Sequence, residues 1–167
     1  MMNSSEYIKF IKKKFNKDWS VCDNFLINNE TFNLYAHCSF SLGRTFITAN
    51  DIIDNFHTNE YILLKYINTL DMAFLHSFIN NIINIHSNLV TPCKNHKSSY
   101  TTYVILYDDC NDLSALNIIK KFKYEKVYKF YFYGFSEIRL LAINLTNKSM
   151  TTNKCANNIK KMYLPAS

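Results

Sequence analysis

Two short apolar runs in the middle of the chain constrain its fold more than any other feature. Residues 61–67 and 100–107 carry mostly apolar or aromatic side chains at both odd and even positions. Successive side chains of a strand point to opposite faces, so these runs predict strands that are covered on both faces, inside a sheet. Between them, residues 68–89 place Leu75 and Phe78 at helical spacing, which predicts an amphipathic helix packed on that sheet.

The other predicted elements surround these strands. Asn68 or Thr69 is the expected cap of the long helix. The remaining elements are a helix from Ser4 or Ser5 to about residue 17, a hairpin over residues 31–48 that turns at residues 41–43, a helix from Asn111 or Asp112 to residue 122, strands over residues 126–133 and 137–145 that meet near Gly134, and a last short strand after residues 146–149. This order predicts an α/β (α+β) fold with a mixed, largely antiparallel sheet and two or three packed helices.

The chain is expected to form a single domain over residues 1–167. No linker, repeat or change of composition divides it, and its length falls in the range of one domain. Hydrophobic residues make up 48% and charged residues 19%, a balance that is typical of folded chains rather than disordered ones.

Several enzyme classes lack their signature motifs in this sequence. Gly43 and Gly134 are the two glycines, and neither belongs to a GxGxxG or GxxxxGK[ST] loop that could hold phosphates on backbone N–H groups. GxSxG, HExxH and the zinc-deaminase signature are also missing. We therefore expect no cofactor, and a non-enzymatic role is favoured.

The location is expected to be cytoplasmic, without membrane contact. Lysines interrupt the first 30 residues, so they contain no apolar core of a signal peptide, and no run of about 18 apolar residues follows. The five cysteines are an odd number at irregular spacing, which indicates reduced thiols rather than a disulfide framework.

Positive charge and aromatic rings are concentrated near residues 120–133. The formal net charge of the chain is +6. Lysines alternating with aromatic rings can neutralise phosphates and stack on bases, as in proteins that bind single-stranded nucleic acid. The candidate binding residues are Lys120, Lys121, Lys123, Lys126, Lys129, Tyr128 and Arg139. Two alternatives stay open: the charge reflects the codons of an AT-rich genome, and the aromatic rings of 126–133 belong to the core.

Acidic residues supply a weaker alternative, a metal site. Asp108, Asp109 and Asp112 follow a predicted buried strand, where α/β proteins often bind ligands, although the same residues also suit a helix cap.

The order of elements also resembles a restriction-endonuclease-like core, in which an acid, one spacer and a lysine on the third strand bind metal. Here Lys65 has Leu63 in the acid position, and Glu60 falls on the opposite face of a regular strand. Asp51 and Asp54 are the other carboxylates considered for this site.

Several short blocks carry a family resemblance. They are residues 31–36, 59–61, 122–126, 138–140 and 152–154. In these blocks the chain resembles a domain-of-unknown-function family from clostridia and related low-GC Gram-positive bacteria. The resemblance implies a bacterial, cytoplasmic, one-domain protein and assigns no catalytic residue.

Three functional hypotheses follow. The first is a small, non-enzymatic binding or accessory protein whose partner is a nucleic acid or another protein. The second is a divergent metal-dependent nuclease-like enzyme, and the third is a structural subunit of a homo-oligomer.

Overall fold

The architecture is a seven-stranded sheet between two helical layers, seen in a computed structural model that describes residues 2–45 and 52–164. Its elements in chain order are α1 (Ser4–Lys12), β1 (Ser20–Ile27), β2 (Glu30–Thr45), β3 (Ile52–Leu70), α2 (Met72–Leu89), β4 (His96–Cys110), α3 (Ser114–Lys121), β5 (Glu125–Val127), β6 (Phe135–Asn144) and β7 (Met150–Thr152). Two 3-10 turns, Lys154–Ala156 and Lys160–Tyr163, follow β7.

The strand order is β1-β2-β3-β4-β6-β5, and β7 pairs with β6 beside β5. The β3–β4 and β4–β6 pairs are parallel, whereas β1–β2, β2–β3, β5–β6 and β6–β7 are antiparallel. The predicted α+β class, with a mixed sheet and three helices, is confirmed.

Each face of the sheet has its own core. On β3, Ile62 and Leu64 face α1 and the 3-10 turns, whereas Tyr61 and Leu63 face α2 and α3. All four side chains are buried. Burying one Leu or Ile contributes roughly 1.5–3 kcal/mol, so the two-sided apolar pattern is what fixes β3 inside the sheet.

Side chains cap α1 and α2 at positions that differ from the predicted ones. Asn3 and Glu6 form a capping box on α1, one residue before the predicted Ser4. Asp71 caps α2 because β3 continues to Leu70, beyond the predicted cap at Asn68 or Thr69. At α3, the predicted Asp112 does accept a 2.8 Å hydrogen bond, from the backbone N–H of Ser114.

In the first half of the chain one strand was not predicted and one predicted turn is wrong. β1 was not predicted, because its side chains are mostly exposed at the edge of the sheet and show no apolar alternation. The turn predicted at residues 41–43 does not exist, since β2 continues through it and Gly43 pairs with Asn55 of β3. The end of the predicted hairpin, residues 46–48, lies outside the described residues.

An irregularity in β2 separates the two cores. The side-chain carbonyl of Asn33 accepts a 2.7 Å hydrogen bond from the backbone N–H of Tyr66, in place of a backbone acceptor. On either side of it, Phe32 packs toward α2 and Leu34 packs toward α1. The change of face between Phe32 and Leu34 therefore falls at Asn33.

Among the described residues, no helix is long and apolar enough to cross a membrane. All five cysteines are free thiols.

Candidate functional site

A seven-residue loop, residues 128–134, connects β5 to β6 and is called the aromatic loop below. The strand predicted over 126–133 ends at Val127, because the chain reverses there. The backbone N–H of Tyr128 donates to the carbonyl of Gly134 at 2.9 Å, and the N–H of Tyr133 donates to the carbonyl of Tyr128 at 3.1 Å. These bonds close the loop at its base.

Three consecutive residues of this loop adopt left-handed backbone conformations. The φ angles are 46° at Lys129, 53° at Phe130 and 71° at Tyr131. For residues with a Cβ, each such conformation costs roughly 1–2 kcal/mol. Strain of this kind persists only where the surrounding structure holds it, and it is concentrated at functional sites.

The loop presents three aromatic side chains to solvent. Phe130 is 93% exposed, Tyr131 62% and Phe132 79%. The interpretation of these rings as core is therefore wrong for the three residues at the tip. Contiguous exposed apolar side chains of this kind are typical of interaction surfaces.

Gly134 and His96 fix the base of the loop. The φ angle of Gly134 is +70°, and a Cβ at this position would lie 2.2 Å from the carbonyl oxygen of Lys97. Nδ1 of His96 donates a 2.7 Å hydrogen bond to the carbonyl of Tyr133. The loop is thus seated directly against the start of β4, which gives it a defined position.

Lysines accompany the rings of this loop. Nζ of Lys129 lies 4.3 Å from the ring centroid of Tyr133, and Nζ of Lys126 lies 5.6 Å from that of Tyr128. Both lysines are exposed. A depression of about 490 Å³ beside the loop is lined by Phe56, Lys94, Asn95, Phe132 and Tyr133.

The other predicted lysines are exposed but are not all on one surface. Lys120 and Lys121 end α3. Lys126 pairs with Ser136, which faces α2, so the alternation of β5 places Glu125 on the opposite face. Lys123 shares that opposite face and acts electrostatically on Cys155 there.

Arg139 lies away from the aromatic loop, in the α1 layer. It is 6% exposed, and Nη1 lies 3.2 Å from Oε2 of Glu60 while Nε lies 3.3 Å from Oε1 of Glu137. The sequence did not show that two partly buried carboxylates flank it, so it is a poor candidate for contacting a nucleic acid.

A buried hydrogen-bond network centred on His86 connects α2 to the aromatic loop. Nδ1 of His86 lies 2.7 Å from Oγ1 of Thr101, and Nε2 lies 2.8 Å from Oγ of Ser136. Ser136 Oγ in turn lies 2.9 Å from the hydroxyl of Tyr128. Burial, with a smaller effect of Lys126, lowers the pKa of His86 to about 4. His86 is therefore neutral at pH 7 and links α2 to the aromatic loop. In the sequence, only its position within the predicted helix points to this role.

The three aspartates of the metal hypothesis do not lie together in one site. Oδ2 of Asp108 accepts a 2.6 Å hydrogen bond from the Tyr66 hydroxyl, whereas Oδ1 of Asp112 accepts one from the backbone N–H of Ser114 at the start of α3. Asp109 follows Asp108 on β4 and so points to the other face. Within residues 2–45 and 52–164, no three His, Cys, Asp or Glu side chains are placed to hold a metal ion.

The residues of the endonuclease hypothesis are also dispersed. Lys65 forms an ion pair with Glu30 of β2 and donates to the carbonyl of Thr31 at 3.1 Å. Asp54 lies eleven positions earlier on the same strand, about 36 Å away at 3.3 Å per residue. Asp51 lies outside the described residues.

Comparison with known proteins assigns a family. A family model described as a domain of unknown function, DUF8052, matches residues 3–165. The chain belongs to the DUF8052 family. The match includes every element from α1 to the last 3-10 turn, so the aromatic loop lies inside the DUF8052 domain. No curated protein and no solved structure matches the chain.

Proposed function

We propose that this DUF8052 protein is a small, non-enzymatic binding protein whose aromatic loop binds single-stranded nucleic acid. The observation that carries the proposal is the left-handed turn that presents Phe130, Tyr131 and Phe132 to solvent beside two exposed lysines. Every base has a π face, so exposed rings bind unpaired strands with little dependence on sequence.

The charges beside the rings suit this partner. Lys126 and Lys129 lie over Tyr128 and Tyr133, so ammonium groups and aromatic rings share one surface. A single strand likewise carries phosphates next to unstacked bases. The formal net charge of +6 adds a long-range attraction for a polyanion.

The fixed base of the loop also favours binding. His96 and the hydrogen bonds between Tyr128, Tyr133 and Gly134 hold the loop in its exposed conformation. A loop that is already ordered loses less conformational entropy when it binds a partner. The strain at Phe130 is maintained by the fold rather than by the ligand.

Fluorescence anisotropy with labelled single- and double-stranded oligonucleotides tests the proposal at about 50 and 200 mM salt. Stacking contributes about 1–3 kcal/mol per base, so the double variant F130A/F132A should weaken single-strand binding about tenfold or more. K126Q/K129Q should lower the salt slope by about 1.4, which corresponds to two single-strand phosphates.

Matched controls lie elsewhere on the surface. L113A removes another exposed apolar side chain, 72% exposed at the start of α3, and K9Q/K13Q removes two charges from the α1 region. Both should bind normally. No binding at low salt, or loss of binding in L113A equal to that in F130A/F132A, would contradict the proposal. Binding to anionic vesicles but not to oligonucleotides would instead assign the loop to a membrane surface.

A metal-dependent nuclease-like enzyme is the rival proposal. It is favoured by the direction of the strands: β1, β3, β4 and β6 run one way and β2 the other, which agrees with the helix, meander, helix and strand order of that core. The acid position before Lys65 is the buried Leu63, which weakens it. Cleavage of the labelled strands with Mg²⁺ or Mn²⁺ would support the enzyme, and no cleavage or metal-dependent rise in Tm would oppose it.

A structural subunit is the third proposal, with the aromatic loop as the contact between copies. Sedimentation of the protein before and after the F130A/F132A change would detect it, because only an oligomer held by these rings would dissociate.

Origin and location are proposals as well. A low-GC Gram-positive bacterium is supported by the abundance of Lys, Asn and Ile, and a cytoplasmic location by five cysteines that form no disulfide. Fractionation of a cell that produces the protein would test the location.

A further inference from the structure

A cleft on the α1 face lies apart from the aromatic loop and has a different lining. It has a volume of about 180 Å³ and is bounded by Trp19, Phe40, Glu60, Ile62, Met162 and Tyr163, with Arg139 and Thr102 at its floor. The floor belongs to β3, β4 and β6, where Ile62, Thr102 and Arg139 pair in register near the middle of these strands. The walls come from the segment before β1, from β2 and from the last 3-10 turn.

The cleft lies beside a cluster of two carboxylates and one guanidinium. Arg139 is the single cation between the carboxylates of Glu60 and Glu137, and its guanidinium also lies 3.9 Å from the ring centroid of Tyr100. Among the described residues, the Glu60 carboxylate accepts hydrogen bonds from Arg139 alone. Burial raises the pKa of Glu60, the guanidinium of Arg139 opposes this rise, and the Glu137 carboxylate adds to it. A second cation beside Glu60 would favour its ionised form. One further cation would balance the cluster.

The mouth of the cleft is aromatic and partly open. The rings of Trp19 and Phe40 meet edge to face with centroids 6.5 Å apart, and Phe40 is 44% exposed. Met162, which also lines the cleft, is 47% exposed. Aromatic rings next to a carboxylate are the surroundings in which proteins bind organic ammonium ions.

We propose that this cleft binds a small organic cation, an amine with an apolar body, whose ammonium group pairs with Glu60 while Trp19 and Phe40 cover its apolar part. Two features set this ligand class. The Glu60 carboxylate side chain is more exposed than that of Arg139, 23% against 8%, and with Glu137 behind it the carboxylates of the cluster exceed the cation by one, which favours a cation over a carboxylate or phosphate. The volume admits a group equivalent to about six water molecules at 30 Å³ each.

Trp19 is the only tryptophan of the chain, so its fluorescence reports directly on the cleft. The intact protein is titrated with phenethylamine, with the neutral isostere 2-phenylethanol and with the anion phenylacetate. We expect a saturable change of Trp19 emission with the amine, and an affinity for the alcohol and the anion about tenfold lower or worse. An alcohol that binds as tightly as the amine, or no saturable change with the amine, overturns the proposal.

Two variants locate the binding site. E60Q keeps the shape of the side chain and removes its charge, and F40A removes part of the mouth; each should weaken amine binding about fivefold or more. F130A, in the aromatic loop, is the control and should bind the amine normally. Unchanged amine affinity in F40A contradicts the assignment even if E60Q proves too unstable to measure. Because the titration contains no nucleic acid, its result is independent of the proposed function.

Discussion

Nδ1 of His96 donates a 2.7 Å hydrogen bond to the carbonyl oxygen of Tyr133, so the first residue of β4 holds the base of the aromatic loop. Nε2 of the same ring lies 2.8 Å from Oγ of the buried Ser99. A carbonyl oxygen only accepts hydrogen bonds, and therefore Nδ1 carries the proton.

Replacing His96 with leucine should leave the Tyr133 carbonyl without this donor. We expect H96L to lower the free energy of unfolding by about 1–3 kcal/mol, the cost of unpaired polar groups in a buried site. Urea denaturation measures it. H76L, at an exposed position of α2, is the control and should stay within about 0.5 kcal/mol of the wild type. Faster amide exchange in the aromatic loop of H96L alone would confirm that the bond fixes the loop.

Gly134 should tolerate no side chain. In G134A, the new Cβ would meet the Lys97 carbonyl at 2.2 Å and the positive φ would be strained, so we expect a loss of about 2 kcal/mol or more. Lys148 gives the opposite case, because it is exposed with φ at 59°, and K148G should be neutral or stabilising by up to about 1 kcal/mol. Equal unfolding midpoints for G134A and the wild type would show that the loop is not seated on β4.

The free energy of unfolding should decrease at acid pH because the pKa of His86 is lowered in the folded protein. Its pKa is about 4 in the folded protein, against the ordinary histidine value of 6.5 in the unfolded chain, so between these values the unfolded chain binds more protons. The stabilisation is complete above about pH 6.5 and is lost as the pH falls through 4, by up to about 3 kcal/mol. Thermal unfolding from pH 7 to 4 measures this. H86Q should flatten this part of the profile, whereas H76Q should keep it; an unchanged slope in H86Q would assign the acid sensitivity to other groups.

Arg139 should be required for the stability of the fold because it compensates the charges of two carboxylates. R139M leaves Glu60 and Glu137 without their partner in a largely buried site, and we expect a loss of about 3–5 kcal/mol. The double variant R139M/E60Q removes one of the stranded charges and should recover part of that loss. Chemical denaturation of the wild type, both single variants and the double variant gives the coupling energy. A coupling near zero would mean that the pair does not act as a unit.

Local patterns predicted the centre of the fold better than its edges. The apolar runs of β3 and β4 and the helical spacing of α2 were sufficient to predict these three elements. A strand buried on both faces needs apolar side chains at nearly every position, which is visible in the sequence. β1 was not predicted because an exposed edge strand needs no alternation of apolar and polar side chains. The cap of α2 lies at Asp71 rather than at Asn68 or Thr69 because β3 continues to Leu70.

The sequence by itself determined the α+β class, the buried strands and the concentration of lysines and aromatic rings near residues 120–133, since all of these depend on the type and spacing of neighbouring residues. Tertiary structure decided which of those groups are available. Phe130 and Phe132 are exposed because the loop turns left-handed against β4, and Arg139 is buried because β3 brings Glu60 to it across 79 residues of chain. Contacts between distant segments set both outcomes, and periodicity within one segment carries no information about them.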